Sequence, residues 1–144
     1  MNQSTVKTPF HLWVVGILSL LWNAFGAFDY TATQYRIESY MGQFPQEQLD
    51  YFYSFPSWVE AAWAVGVWGS LLGSIFLLLR KSWAVWLFGA SILGLAASTV
   101  YNFVLSNGME VMGEGAAVFT AVIWVIALLL FFYASAMAKR GVLT

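Results

Sequence analysis

The chain has 144 residues, 60% of them hydrophobic and 9% charged, with a formal net charge of −1 and a mean hydropathy of +0.72. A water-soluble globular domain carries roughly a quarter charged residues, so lipid must be part of this chain's solvent, and so little charge excludes bulk electrostatic capture of nucleic acid. With no cysteine and one histidine, disulfides, thiolate metal sites, Fe–S clusters, cysteine nucleophiles and bis-histidine haem ligation within one chain are also excluded.

A membrane-spanning helix needs about 20 predominantly apolar residues, and its backbone groups must bond within their own segment. The first such window runs from about His11 to Tyr30, with Thr8-Pro9 offering an N-cap and a first-turn proline. Ala24-Phe25-Gly26 loosely matches a small-x-small cleavage site, but the long apolar stretch and bulky aromatics around it favour a true span over a cleaved signal. The long connection that follows, roughly 31–56, contains "FPQEQLDYFYSFP". Its Leu49, Phe52 and Tyr53 fall at helical spacing, which predicts a short amphipathic helix at the outer membrane–water boundary. The second span covers about Trp58 to Leu79. The third, about Ser82 to Leu105, follows after only Arg80 and Lys81, and the fourth covers about Gly115 to Ala138.

Positive charge sets the direction. Lys7 precedes the first span, Arg80 and Lys81 separate the second and third, and Lys139 and Arg140 follow the fourth, leaving only Arg36 in the opposite connections. That side is predicted to be cytoplasmic, with both termini inside. Gly66, Gly69, Ser70, Gly73 and Ser74 in span 2, and Ala90, Gly94 and Ser98 in span 3, form small-residue rows that let helices approach closely. The expected fold is therefore all-α: one transmembrane domain over 1–144, an integral membrane four-helix antiparallel bundle with the amphipathic helix in its outer 1–2 loop.

Polar residues at membrane depth are functional candidates by default, and here they gather at the outer ends of the spans. Asp29 closes span 1, Glu60 opens span 2, Tyr101 and Asn102 close span 3, and Glu110 and Glu114 precede or begin span 4. The antiparallel arrangement would bring these ends to one level, with the acids around a common outward-facing pocket. Ser57-x-x-Glu60 and Asn107-x-x-Glu110 also fit capping boxes, in which the acid satisfies an amide at the helix start. Asp29 has no such role, because the C-terminal end of a helix disfavours an anion. Trp22, Phe25 and Asp29 share one helix face, with Asn23 and Tyr30 about 100° away, so Asn23 is expected to bond a neighbouring helix. His11 reads as interfacial. Ser91, Ser98 and Thr99 are expected to bond carbonyls of their own helix. The sequence has no nucleophile–base pair, phosphate loop or metal-ligand spacing, hence no predicted catalytic residue, metal or cofactor.

The stretches "HLWVVGILSLLWNAFGAFDY" and "WVEAAWAVGVWGS" resemble a group of small proteobacterial four-helix inner-membrane proteins, some of them loosely labelled sugar transporters. The likeness covers spans 1 to 3 and the outer loop. It implies a bacterial inner-membrane location and supplies no catalytic residues.

These features favour a non-enzymatic protein that binds or transports a cation, proton or small polar solute. Asp29, Glu60 and Glu114 would attract the solute, with Asn23, Tyr101, Asn102 and Trp63 shaping the pocket. The alternative is an accessory or structural subunit of a larger membrane complex. An enzyme acting on a lipid or quinone at the outer interface is a third reading, weakened by the missing nucleophile and base. Membrane lipids are the expected partners, with a homo-oligomer or a larger complex around the chain and no nucleic acid.

Overall fold

A computed structural model describes residues 6–144, and among them every regular element is helical. They are α1 (Phe10–Gln34), α2 (Glu38–Met41), α3 (Gln46–Tyr53), α4 (Ser57–Leu78), α5 (Trp83–Val100), α6 (Gly108–Met112) and α7 (Glu114–Lys139), with a π-helical turn at Tyr101–Leu105 continuing α5. Four of these segments, 10–34, 57–78, 83–105 and 114–139, are long and apolar enough to cross a membrane.

Prolines set three of the helix starts. Pro9, Pro45 and Pro56 stand in extended conformation immediately before α1, α3 and α4, where a missing N–H costs nothing and the following residue can enter a helix. Each helix thus begins after its proline, and Ser57 lies inside the first turn of α4 instead of capping it. The expected capping boxes do not form: neither α4 nor α6 has a side-chain cap hydrogen bond. At its far end α1 runs four residues beyond Tyr30. With 1.5 Å of rise per residue and a hydrocarbon core of about 30 Å, a slab entered at Phe10 is left after roughly 20 residues, near Asp29. The last turn of α1, with Gln34, is therefore longer than such a core requires.

α4 packs on α5, α1 packs on α4, and α7 packs on α5. The α4–α5 seam is built from the small residues. Gly94 is held so closely that a Cβ there would lie 2.5 Å from the Ala62 carbonyl oxygen and 2.7 Å from the Gly66 nitrogen, so only glycine fits. Leu12, Leu77, Ala84, Phe88, Leu130 and Ala134 form the core, near the α4–α5 turn. Val142 and Leu143 fold back into it, and the Thr144 amide donates to the Arg80 carbonyl at 3.0 Å. α1 and α7 meet through isolated side-chain contacts: a His11–Tyr133 hydrogen bond near that closed end and the Trp22 and Phe119 rings, 6.0 Å apart. The outward faces carry exposed Leu18, Leu21, Phe25, Leu129 and Phe132. A continuous apolar exterior of this kind has lipid as its natural solvent.

Candidate functional site

The site rests on a ladder of polar side chains at the α1–α4–α5 seam. Asn23, buried on α1, donates from Nδ2 to the Ser70 carbonyl at 3.1 Å and to the Ser74 hydroxyl at 2.8 Å. Ser19, one turn earlier, pairs with Ser74 at 2.9 Å. Ser91 of α5 donates to the Gly66 carbonyl across the interface at 2.7 Å and also pairs with Ser70. Asn23 thus joins two helices, as its type and depth predict. Ser91 differs from the expectation of an own-helix bond because the close glycine seam brings a foreign carbonyl within reach. Interhelical bonds of this kind average about 0.6 kcal/mol each, so the ladder fixes helix register more than it adds stability.

Towards the loop end the four long helices border a cleft with two chambers. The inner chamber, about 180 Å³, lies among α1, α4, α5 and α7, with walls that include Trp22, Phe25, Phe88 and Phe119. The outer chamber, about 240 Å³, extends under α3 and α6 and is bordered by Thr33, Phe52, Phe55, Asn102 and Thr120. Asp29, Trp63, Leu95, Ser98 and Ile123 border both. The junction between the chambers is therefore where an acid, a tryptophan and a serine face the same space.

Among the described residues, Asp29 is the only acidic or basic one on the walls of either chamber. The Tyr40 hydroxyl donates to its Oδ1 at 2.5 Å, and the Thr33 hydroxyl fixes its main-chain carbonyl at 2.7 Å. Burial, reinforced by the hydrogen bond to Asp29 and its negative charge, pushes the Tyr40 phenol far above its ordinary range. Tyr40 is therefore a neutral donor that orients the carboxyl group without neutralising it. Arg36, the basic residue nearest in sequence, is engaged elsewhere, its guanidinium 4.1 Å from the centre of the Tyr53 ring.

The other residues singled out from sequence take different places. Glu60 accepts a hydrogen bond from the Gln34 amide at 3.0 Å and borders neither chamber. Glu114 is exposed at the start of α7, away from the chamber walls. The expected ring of acids is thus reduced to Asp29. Its physical cause is the extended α1, whose last turn brings Gln34 to Glu60, and the early start of α7, which leaves Glu114 facing outward. Asn23 and Asp29 border one inner chamber although they stand about 120° apart on α1, because Trp22 and Gly26 fill the arc between them. Asn102 borders the outer chamber and is locked: its Oδ1 accepts from the Tyr51 hydroxyl at 2.5 Å and its Nδ2 donates to the Ser98 carbonyl at 2.8 Å. Tyr101 stands behind it, stacked on Tyr51 and edge-on to Phe55 and Trp58. Trp63 is held edge-on to Tyr30 and Phe55, with centroids 4.9 and 6.0 Å away.

Three participants escaped the sequence reading. Tyr40 sits in the loop, where no periodicity marks it. Tyr51 is buried beneath α3, one residue off the Leu49–Phe52–Tyr53 pattern that suggested an interfacial helix. Ser98 has a buried Oγ with no hydrogen-bond partner, although an own-helix bond was expected of it. Thr99, next to it, does follow that rule, bonding the Leu95 carbonyl at 2.7 Å. Among the described residues no group of His, Asp and Glu is placed to hold a metal ion. Comparison with protein-family models, curated proteins and solved structures finds no match.

Proposed function

We propose that this protein is a small integral protein of the cell inner membrane that binds or transports a cation, or a small solute carrying one, through an outward-facing pocket centred on Asp29. On this reading the four long helices form an antiparallel bundle with both termini cytoplasmic, which the clustering of Lys7, Arg80, Lys81, Lys139 and Arg140 supports. The observation that carries the proposal is the Asp29 carboxyl group at the junction of two chambers, with a neutral tyrosine as its side-chain donor. An acid at membrane depth is expensive and is retained where it has a partner; a bound cation supplies that partner. Calorimetric titration of the purified protein with tetramethylammonium tests it. Asp29→Asn should abolish binding, while Glu60→Gln, outside the chambers, should leave it intact. Identical titrations for wild type and Asp29→Asn would remove the site.

A second reading, an accessory subunit of a larger membrane complex, is favoured by one feature. The α7 face carrying Val118, Val125, Leu129 and Phe132 is exposed along the length of the helix. Native mass spectrometry after gentle extraction distinguishes the two: stable foreign subunits support the accessory role, and a lone chain or homo-oligomer opposes it.

A further inference from the structure

The two chambers differ in chemistry and in size from what a complete small-molecule site needs. Sites for small molecules occupy about 300–1,000 Å³, and the chambers measure about 180 and 240 Å³, so an occupant of ordinary size uses both and passes Asp29. The inner chamber is walled largely by Trp22, Phe25, Phe88, Phe119, Ile123 and Ile126. The outer chamber adds the polar groups of Thr33, Asn102 and Thr120. An occupant whose charge rests at Asp29 therefore leaves an apolar portion in the inner chamber.

Gly26 enlarges that inner space. A Cβ placed there meets only the Val67 Cγ1, at 3.8 Å, so this glycine is not required by helix contact, unlike Gly94. The inner chamber is bordered by both α1 and α7. Phe25 and Phe119 border the chamber and are also 58% and 51% exposed on the outside of the chain. These two rings are a wall shared by the chamber and the apolar exterior, beside which an apolar body could pass.

We infer that the cleft takes an amphipathic organic cation, an ammonium head between Asp29 and Trp63 with an apolar body in the inner chamber, entering between α1 and α7. This rests on the reading of Asp29 as a cation site. Charge complementarity selects the head: Tyr40 is neutral, Arg36 is stacked on Tyr53, and a phosphate-bearing lipid would set a second negative charge beside the carboxylate. Trp63, on the wall beside Asp29 in both chambers, is the ring type that attracts an ammonium group most strongly. The aromatic and aliphatic wall selects the body, which gains by leaving water.

Three probes test this on the full chain in phosphatidylcholine nanodiscs, with empty nanodiscs subtracted: n-hexyltrimethylammonium, tetramethylammonium and 1-hexanol. The hexyl compound should bind at least about tenfold more tightly than tetramethylammonium, and Asp29→Asn should remove both cations while leaving hexanol unchanged. Gly26→Leu, which fills the inner chamber and leaves the Asp29 carboxyl group in place, should erase the tenfold preference and spare tetramethylammonium. Ala127→Leu fills the same chamber from α7 and should reproduce the effect if Gly26→Leu disturbs folding. Equal affinity for the two cations, or a preference that survives both filling variants, overturns the amphipathic assignment and leaves the acidic site standing. Absence of any Asp29-dependent cation binding overturns both.

Discussion

Gly94→Ala adds one methyl group at the point where α4 and α5 touch, and its cost follows from what that methyl meets. The new Cβ would lie 2.5 Å from the Ala62 carbonyl oxygen. Ordinary contact begins near 3.4 Å, so the two backbones must part by about 0.9 Å, since neither obstacle is a flexible side chain. The Ser91–Gly66 bond, now 2.7 Å, would then stretch beyond the normal hydrogen-bond range, and the Ser70–Ser91 pair would part with it. Overpacking costs about 1–3 kcal/mol, and two interhelical bonds at about 0.6 kcal/mol each bring the expected loss to roughly 2–4 kcal/mol. The matched control is Gly26→Ala, where the added methyl meets only Val67 at 3.8 Å and the change should stay within about 0.5 kcal/mol. Reversible unfolding in mixed micelles, followed by tryptophan fluorescence and circular dichroism, measures both. A Gly94→Ala protein as stable as wild type, or equal losses at the two glycines, would refute the account of the α4–α5 seam.

Ser98→Ala removes a buried hydroxyl that has no partner. Stability should be unchanged or slightly raised, and a loss above about 1 kcal/mol in the same unfolding assay would mean the hydroxyl is bonded after all. Tyr40 yields a pH prediction. Its phenol is raised above the ordinary value of 10.0 in the folded protein, chiefly by burial and then by Asp29. As pH rises past 10 the unfolded chain releases this proton first, so the stabilisation present below that pH is lost as pH climbs towards the folded value. Ultraviolet tyrosinate titration should show a late-titrating tyrosine that disappears in Tyr40→Phe; an unchanged titration curve would contradict the Tyr40–Asp29 contact.

The spans were legible because their signal is length and hydropathy, which the bilayer enforces on every residue of a window. Asn23 was legible for a related reason: a buried amide in an apolar helix has few destinations besides a neighbouring helix, and Ser70 and Ser74 supplied them. The grouping of the acids was not legible. It depended on where α1 ends, and local pattern does not show that Gln34 reaches Glu60 or that Glu114 turns outward. The two capping boxes failed on a one-residue shift set by Pro56 at α4 and on the absence of a side-chain bond from Asn107 at α6. Tyr40 lay beyond sequence reasoning altogether. Its contact with Asp29 is made by a four-residue helix, α2, whose placement depends on the turn after α1 and not on any periodicity.

An acidic pocket centred on Asp29 and reached from the outer side, as proposed above, can be measured directly because the sequence has no native cysteine. Thr120→Cys places a thiol on the α7 wall of the outer chamber and leaves Asp29 intact. Its rate of modification from outside intact cells is compared for cationic and anionic methanethiosulfonates, each normalised to a free thiol. A cationic preference on the order of tenfold is expected, collapsing towards parity when Asp29→Asn is added. A thiol unreactive from outside, or a preference indifferent to Asp29→Asn, would contradict it.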